Sequence, residues 1–282
     1  MVKRFTCKFY YIVDKKKIAL AGNLFYALFQ KLLMTNYPIH MLKHCLLWLF
    51  ILISLSAASQ DSIQKAQVAV KWAPTGLIAG NISLLGEYGF GKHSSLTAKL
   101  GIPVKVNHHL EYDGDDTRFS SRAMSFMAGY RTYLSKKQLK GLYLEPFFKY
   151  VHHSSEGSTN TTLDGEAVVM QFNNDYNAAG VGLELGVQFF LGKRMVLDLF
   201  FLGPEINWAR NNFKAVETTN TLGWTSVQAY EAEADIREFL DDIPFLRNKT
   251  NIQVNQDERT VMADFKGTLP GYRIGLSFGI RL

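Results

Sequence analysis

The chain has 282 residues, with 31 Lys and Arg against 25 Asp and Glu. The basic excess belongs to the first 60 residues, which hold eight bases and one acid. The rest carries 23 bases and 24 acids, a net of −1, so it lacks the charge that a nucleic-acid partner needs. Both cysteines, Cys7 and Cys45, lie in that same front segment, which leaves the body no disulfide framework and no thiolate metal site.

From Met41 the text runs MLKHCLLWLFILISLSAASQDS. Lys43 and His44 form a short polar start, and Cys45 to Leu55 is an apolar run of the length of a signal-peptide core. Small residues follow from Ser56 to Ser59. This is the layout of a secretory signal peptide at residues 41–59, with cleavage after Ala58 or Ser59. The run is too short for a spanning helix, which needs about 20 residues. Cys45 precedes the apolar core, so it is not a lipidation site of the kind that follows one. Residues 1–40 then read as an upstream extension or a start assigned too early.

Past Asp61 the chain keeps alternating apolar and polar residues with period 2, the strand signal. Val68, Val70 and Trp72 begin the series. Ile82, Leu84, Tyr88 and Phe90 follow, with Leu85 out of step. Further runs are Leu96 to Ile102, Met124 to Tyr130, Leu142 to Tyr150, Val181 to Phe189, Met195 to Trp208, and Tyr272 to Leu282. Most span about 9–12 residues, the length of a membrane strand rather than a soluble one. Three connections are short, at Gly91, Ser135 and Gly192. Four are long: Ala73 to Asn81, Lys105 to Arg122, His152 to Asp175, and Ala209 to Lys266. Long and short alternate, with long links first and last, which is the plan of an outer-membrane barrel with both chain ends on the short-turn side.

The second face of these strands decides between solvents. It carries Lys71, Glu87, Lys99, Arg131, Glu145, Lys149, Glu184, Gln188, Asp198, Arg273 and Arg281 among glycines. A soluble barrel or sandwich would turn that face to water and leave it thinly polar. A membrane barrel turns it inward, where Lys71, Lys99, Arg131, Lys149, Arg273 and Arg281 can pair with Glu87, Glu145, Glu184 and Asp198. Eight strands leave room only for side chains inside. Aromatics near the strand ends form two girdles: Trp72, Tyr150, Tyr176, Trp208 and Tyr272 on the long-loop side, and Tyr88, Phe90, Tyr130 and Phe189 on the other. The expected fold is therefore all-β: an eight-stranded antiparallel transmembrane β-barrel over residues 60–282, with short periplasmic turns, long outer loops and one loop helix.

The stretches SAASQ, QVAVKWAPTGLIAGNISLLGEYGFGKHSSL and GYRIGLSFGIRL resemble small outer-membrane β-barrel proteins of Bacteroidota that share a domain of unknown function. The resemblance covers Gln64 to Leu282. It implies an outer-membrane location, contact with membrane lipid, and insertion by the barrel-assembly machinery. It implies no chemistry for named residues. The chain departs from the usual insertion signal in ending on Leu282 rather than an aromatic residue.

Two segments invite a chemical reading. YVHHSSEGS, Tyr150 to Ser158, holds His152, His153, Ser154, Ser155 and Glu156, the groups of a lipid-deacylating site at the outer end of the fifth expected strand. Neighbours on a strand point to opposite faces, and a polar loop tip accounts for them better. EYDGDDT, Glu111 to Thr117, offers carboxylates to Ca²⁺ but lacks EF-hand spacing, and reads as an acidic surface loop. No cofactor motif is present. In SVQAYEAEADIREFLDDIPFL, the residues Ala229, Ala232, Ile236, Phe239, Leu240 and Ile243 recur at helical spacing, and Pro244 ends the helix. This helix should lie over the barrel mouth, or offer a surface to an envelope partner or glycan through the outer loops. The expected role is non-enzymatic and structural or adhesive, with a lipid-modifying enzyme as the alternative.

The signal reading predicts a mature chain that begins at Ser59 or Gln60 and lacks cysteine. Intact-mass measurement of the native protein checks this, and a mature form that retains Cys45 would contradict it.

Overall fold

The computed structural model of the protein describes residues 67–112, 115–135, 137–241, 243, 246 and 248–282. The signal segment 41–59 and residues 1–40 lie outside the described residues. Ten strands follow in chain order: β1 Gln67–Ala73, β2 Asn81–Gly89, β3 Ser94–Pro103, β4 Val106–Tyr112, β5 Asp115–Tyr133, β6 Gly141–Leu163, β7 Glu166–Leu191, β8 Met195–Glu217, β9 Thr250–Asn255 and β10 Thr260–Arg281. Among the described residues one α-helix, α1, spans Ser226–Asp241 between β8 and β9.

Strands β1, β2, β3, β5, β6, β7, β8 and β10 pair antiparallel in that order, and β10 pairs back onto β1 to close a ring of eight. Each corresponds to one of the eight alternating segments. The ring is staggered. Trp72 faces Phe278 on β10, and going the other way its partners run Leu84, Leu100, Phe126, Tyr150, Ala179 and Trp208 to Thr268, again on β10. From 278 to 268 is a climb of ten residues per circuit. At ~3.3 Å rise per residue and ~4.8 Å between strands, that stagger tilts the strands about 40° from the ring axis.

The long connections differ from the loops expected of them. Strands β5 to β8 and β10 run on far past the ring's other members, to 19, 23, 26, 23 and 22 residues. The expected loop His152 to Asp175 is a continuous hairpin, in which Leu163 pairs with Glu166. Its two-residue turn, Asp164–Gly165, has positive φ at both positions, 50° and 80°. That is the geometry whose twist matches flanking strands, and Asp-Gly is a favoured sequence for it. Of the Ser, Thr and Asn that look like loop residues, Ser154, Ser158, Asn160, Thr162 and Asn173 line the outward face of the hairpin, while Ser155 and Thr161 are buried on the inward one. Likewise Lys105 to Arg122 is the hairpin β4–β5, with Tyr112 opposite Asp115, so the acidic stretch is a hairpin tip. The link after β1 is a 3₁₀ turn, Pro74–Ala79, closed by left-handed Gly80.

Above the ring the long strands form an open wall, β4-β5-β6-β7-β8-β10-β9. Helix α1 forms where the spacing predicted it. Ala229 and Ala232 pack into a cluster with Leu163, Val168, Met170, Ala215, Trp224 and Val261, on the inward face of the wall. Trp224 is buried there, and its Nε1 donates to Glu217 at 2.6 Å.

Because no ring pairing involves α1, removing residues 227–246 should leave the ring assembled in detergent. The wall should loosen, since its inward apolar face loses its cover. Hydrogen exchange resolved by strand checks this: protection is expected to persist in β1–β3 and fall in β9 and the upper half of β7. Loss of protection throughout would show that the ring depends on the helix.

Candidate functional site

The ring's interior gathers charge from every strand. Lys71 of β1 donates from Nζ to Glu87 of β2, Gln188 of β7 and Asp198 of β8, each at 2.7 Å. Arg131 of β5 donates to Glu145 of β6 at 2.7 Å, Asp198 at 2.8 Å and Gln188 at 3.1 Å. Its guanidinium also lies 3.7 Å from the centre of the Tyr143 ring. The carboxylates are filled out by hydroxyls. Tyr133 and Ser95 donate to Glu87 at 2.5 and 2.6 Å, Tyr143 donates to Asp198 at 2.7 Å, and Thr97 donates to Glu145. Lys71, Glu87, Arg131, Glu145, Glu184, Gln188 and Asp198 are all fully buried.

Arg273 of β10 stands 3.6 Å from Glu184 and lies over the rings of Phe147 and Phe200. Lys99 of β3 reaches over Phe200 as well. Lys71, Lys99, Arg131 and Arg273 thus balance Glu87, Glu145, Glu184 and Asp198. Lys149 belongs to a separate pair higher in the ring, with Glu205 of β8 at 2.5 Å. Arg281 does not join the cluster. It stays half-exposed at the turn-side rim, donating to the carbonyl of Lys193 at 2.9 Å and lying over Phe190. Its place at the last residue of β10 is too low to reach the others.

Glycines make room for these side chains. A Cβ on Gly129 would collide with Glu145 and Thr97, and one on Gly186 with Tyr143. Tyr133, Tyr143, Glu205 and the hydroxyls of β3 carry no signal in the sequence that marks them as members. Their parity on the strands places them inward, but only the stagger decides which lie level.

Along β7 and β10 the two faces exchange character at one height. On the lower half of β7 the outward residues are Val181, Leu183, Leu185, Val187, Phe189 and Leu191, opposed to inward Glu184 and Gln188. Higher on the same strand the outward residues are Asn177, Asp175, Asn173 and Gln171, opposed to inward Phe172, Met170 and Val168. Strand β10 does the same. Outward Ile280, Phe278, Leu276, Ile274 and Tyr272 give way to Thr268, Lys266 and Asp264, while inward Arg273 gives way to Leu269, Phe265, Ala263 and Val261. The outer change falls just above Tyr150, Trp208 and Tyr272, and those three are exposed. Tyr176 departs from the expected girdle. It is an even-numbered residue of β7, faces inward, and packs on Ala178, Ala209 and Phe265. Leu85, out of step in the sequence, also points inward and is buried.

The stretch from Tyr150 to Ser158 is strand, not a loop tip. His152, Ser154 and Glu156 share the outward face, and His153 and Ser155 the inward one. Ser154 accepts from Arg122 at 3.0 Å and His152 Nδ1 meets Asn177 at 2.7 Å, so neither pairs with the other. Glu156 is held below the usual carboxylate range by the hydrogen bond and charge of Lys105, 2.8 Å away. The Ser–His contact that does form is His108 Nε2 to Ser121 Oγ at 3.0 Å, between β4 and β5. Among the described residues no group of three or more His, Cys, Asp or Glu could hold a metal ion. No helix among them is long and apolar enough to cross a membrane, which says nothing of strands.

Compared with known proteins, the chain matches no family model, no curated protein and no solved structure.

Breaking the cluster at its centre should be costly. Asp198→Asn removes the charge shared by Lys71, Arg131 and Tyr143 and strands buried cations, so unfolding stability should fall by about 3–5 kcal/mol. Glu184→Gln should cost clearly less. Its nearest partners are Tyr143 at 3.4 Å and Arg273 at 3.6 Å, and its Oε2 takes no hydrogen bond among the described residues. Urea unfolding of the two variants in detergent measures the difference.

Proposed function

We propose that the protein is an outer-membrane β-barrel with a plugged, charge-paired interior, serving a structural or surface-interaction role rather than a catalytic one. The exchange of faces carries this reading. A ring in water has no reason to expose Val181, Leu183, Phe189, Leu276 and Phe278 while burying Arg131 and Asp198. A ring in lipid has both reasons: hydrocarbon accepts the apolar face, and closure satisfies every strand edge. The apolar outer stretch covers about ten residues per strand, which at a tilt of about 40° spans roughly 25 Å, the height of a barrel's lipid-facing band. Above it, where water returns outside, polar residues turn outward and an apolar core forms inside against α1. The inside of an eight-stranded barrel is filled by side chains, so the ring offers no open channel. What the wall and helix present above the membrane is then the surface through which an envelope or external partner is met. The resemblance to Bacteroidota outer-membrane barrels agrees with this assignment.

Two substitutions on the outward face of β7 separate the solvents. Leu183, 43% exposed, lies in the apolar stretch, and Asn173 lies ten residues higher. Leu183→Arg should destabilise the folded protein in lipid by about 2–4 kcal/mol, because hydrocarbon does not solvate the charge. Asn173→Arg should be silent within ~0.5 kcal/mol. Equilibrium unfolding from vesicles reads both. A silent Leu183→Arg in a protein that stays native in water without detergent would end the membrane reading.

A further inference from the structure

One outward patch has more positive charge than its surroundings can balance. Arg210 of β8 and Lys266 of β10 are direct cross-strand partners. Like charges set opposite one another on a sheet destabilise it. Lys249, just before β9, lines the same shallow cavity with them, together with Asn212, Asn251 and Asp264. All three cations are exposed, and none of their side chains has an ion-pair or hydrogen-bond partner among the described residues. Asp264 is not within ion-pair distance of any of them, and the patch keeps a net positive charge.

The position is specific. Arg210 and Lys266 stand one outward step, two residues, above Trp208 and Thr268, where the apolar belt ends. Two residues on a strand tilted by about 40° rise about 5 Å. This is headgroup depth if Trp208, 54% exposed, marks the lipid–water boundary. On β7 the outward residues beside the patch are Asn177, opposite Arg210, and Asp175, opposite Asn212. The three cations of the patch lie on β8, on β10 and just before β9.

We propose that Arg210, Lys266 and Lys249 form a site for the phosphate of an anionic membrane lipid headgroup, a deduction that rests on the membrane reading above. The guanidinium takes two phosphate oxygens side by side, the two ammonium groups supply further donors, and the anion relieves the cross-strand repulsion. Asn212 and Asn251 flank the site with neutral amides suited to sugar or glycerol hydroxyls.

The test uses the full mature chain. It is first inserted into vesicles of zwitterionic lipid alone, which examines the membrane reading by itself. If it does not insert, that reading fails and the lipid site falls with it. It is then exchanged into detergent doped with a lipid bearing a phosphate monoester, and retained lipid is counted by native mass spectrometry. The wild type should retain the phosphate lipid over the zwitterionic one. Arg210→Gln with Lys266→Gln should lower that retention about tenfold, and Lys249→Gln alone should lower it less. Lys214→Gln, four residues farther up β8, should leave it unchanged. Equal retention by the wild type and the double variant would refute the site. So would complete displacement of the lipid by millimolar inorganic phosphate, which would make the patch a soluble-anion site instead.

Discussion

The structure depends on one buried carboxylate more than on any other group. Asp198 accepts from Lys71 and Arg131 on one oxygen and from Tyr143 on the other, so it ties β8 to β1, β5 and β6 at once. Those strands are far apart in sequence and lie on different sides of the ring. Hydrogen bonds between neighbouring strands hold the wall, but nothing in a ladder fixes how wall faces wall. The charge cluster does. Its cost is the desolvation of eight ionised groups. Equal numbers of each sign, close geometry and hydroxyl donors offset that cost.

That cluster also explains why the ring can be turned inside out. A polar interior is tolerable only if its members satisfy one another, and in hydrocarbon no water will correct a failure. With the interior settled, the outer face is free to be wholly apolar. Glycines at the cluster's height give up packing area so that Glu145 and Tyr143 can cross the lumen. Interior polarity and exterior apolarity are therefore coupled in this ring.

The long strands β7 and β10 carry the same logic through an exchange of faces. One continuous β7 serves both zones without altering its parity. The alternation only exchanges which face is apolar, and α1 covers the inward apolar face of the upper half. The edges β4 and β9 end the wall on either side. At the boundary between the zones lie the exposed aromatics and, on β8 and β10, the unpaired cations.

Period-2 alternation in the sequence was enough to locate all eight ring strands, because the side-chain period of a strand is a local property and survives whatever the strand packs against. It also put Lys71, Glu87, Arg131, Glu145, Glu184 and Asp198 on one face, and helical spacing located α1. It did not reveal that 152–175 is a hairpin. Ser, Thr and Asn facing water on a strand have the composition of a loop, and only the apolar partners Leu163, Val168 and Met170 around Asp-Gly hint otherwise. Nor could it pair Lys149 with Glu205 or leave Arg281 at the rim. Those outcomes follow from the ten-residue stagger, which sets the residues of eight strands level with one another. Stagger is a sum over every register in the ring, so no single segment encodes it, and it exists only once the last strand closes on the first.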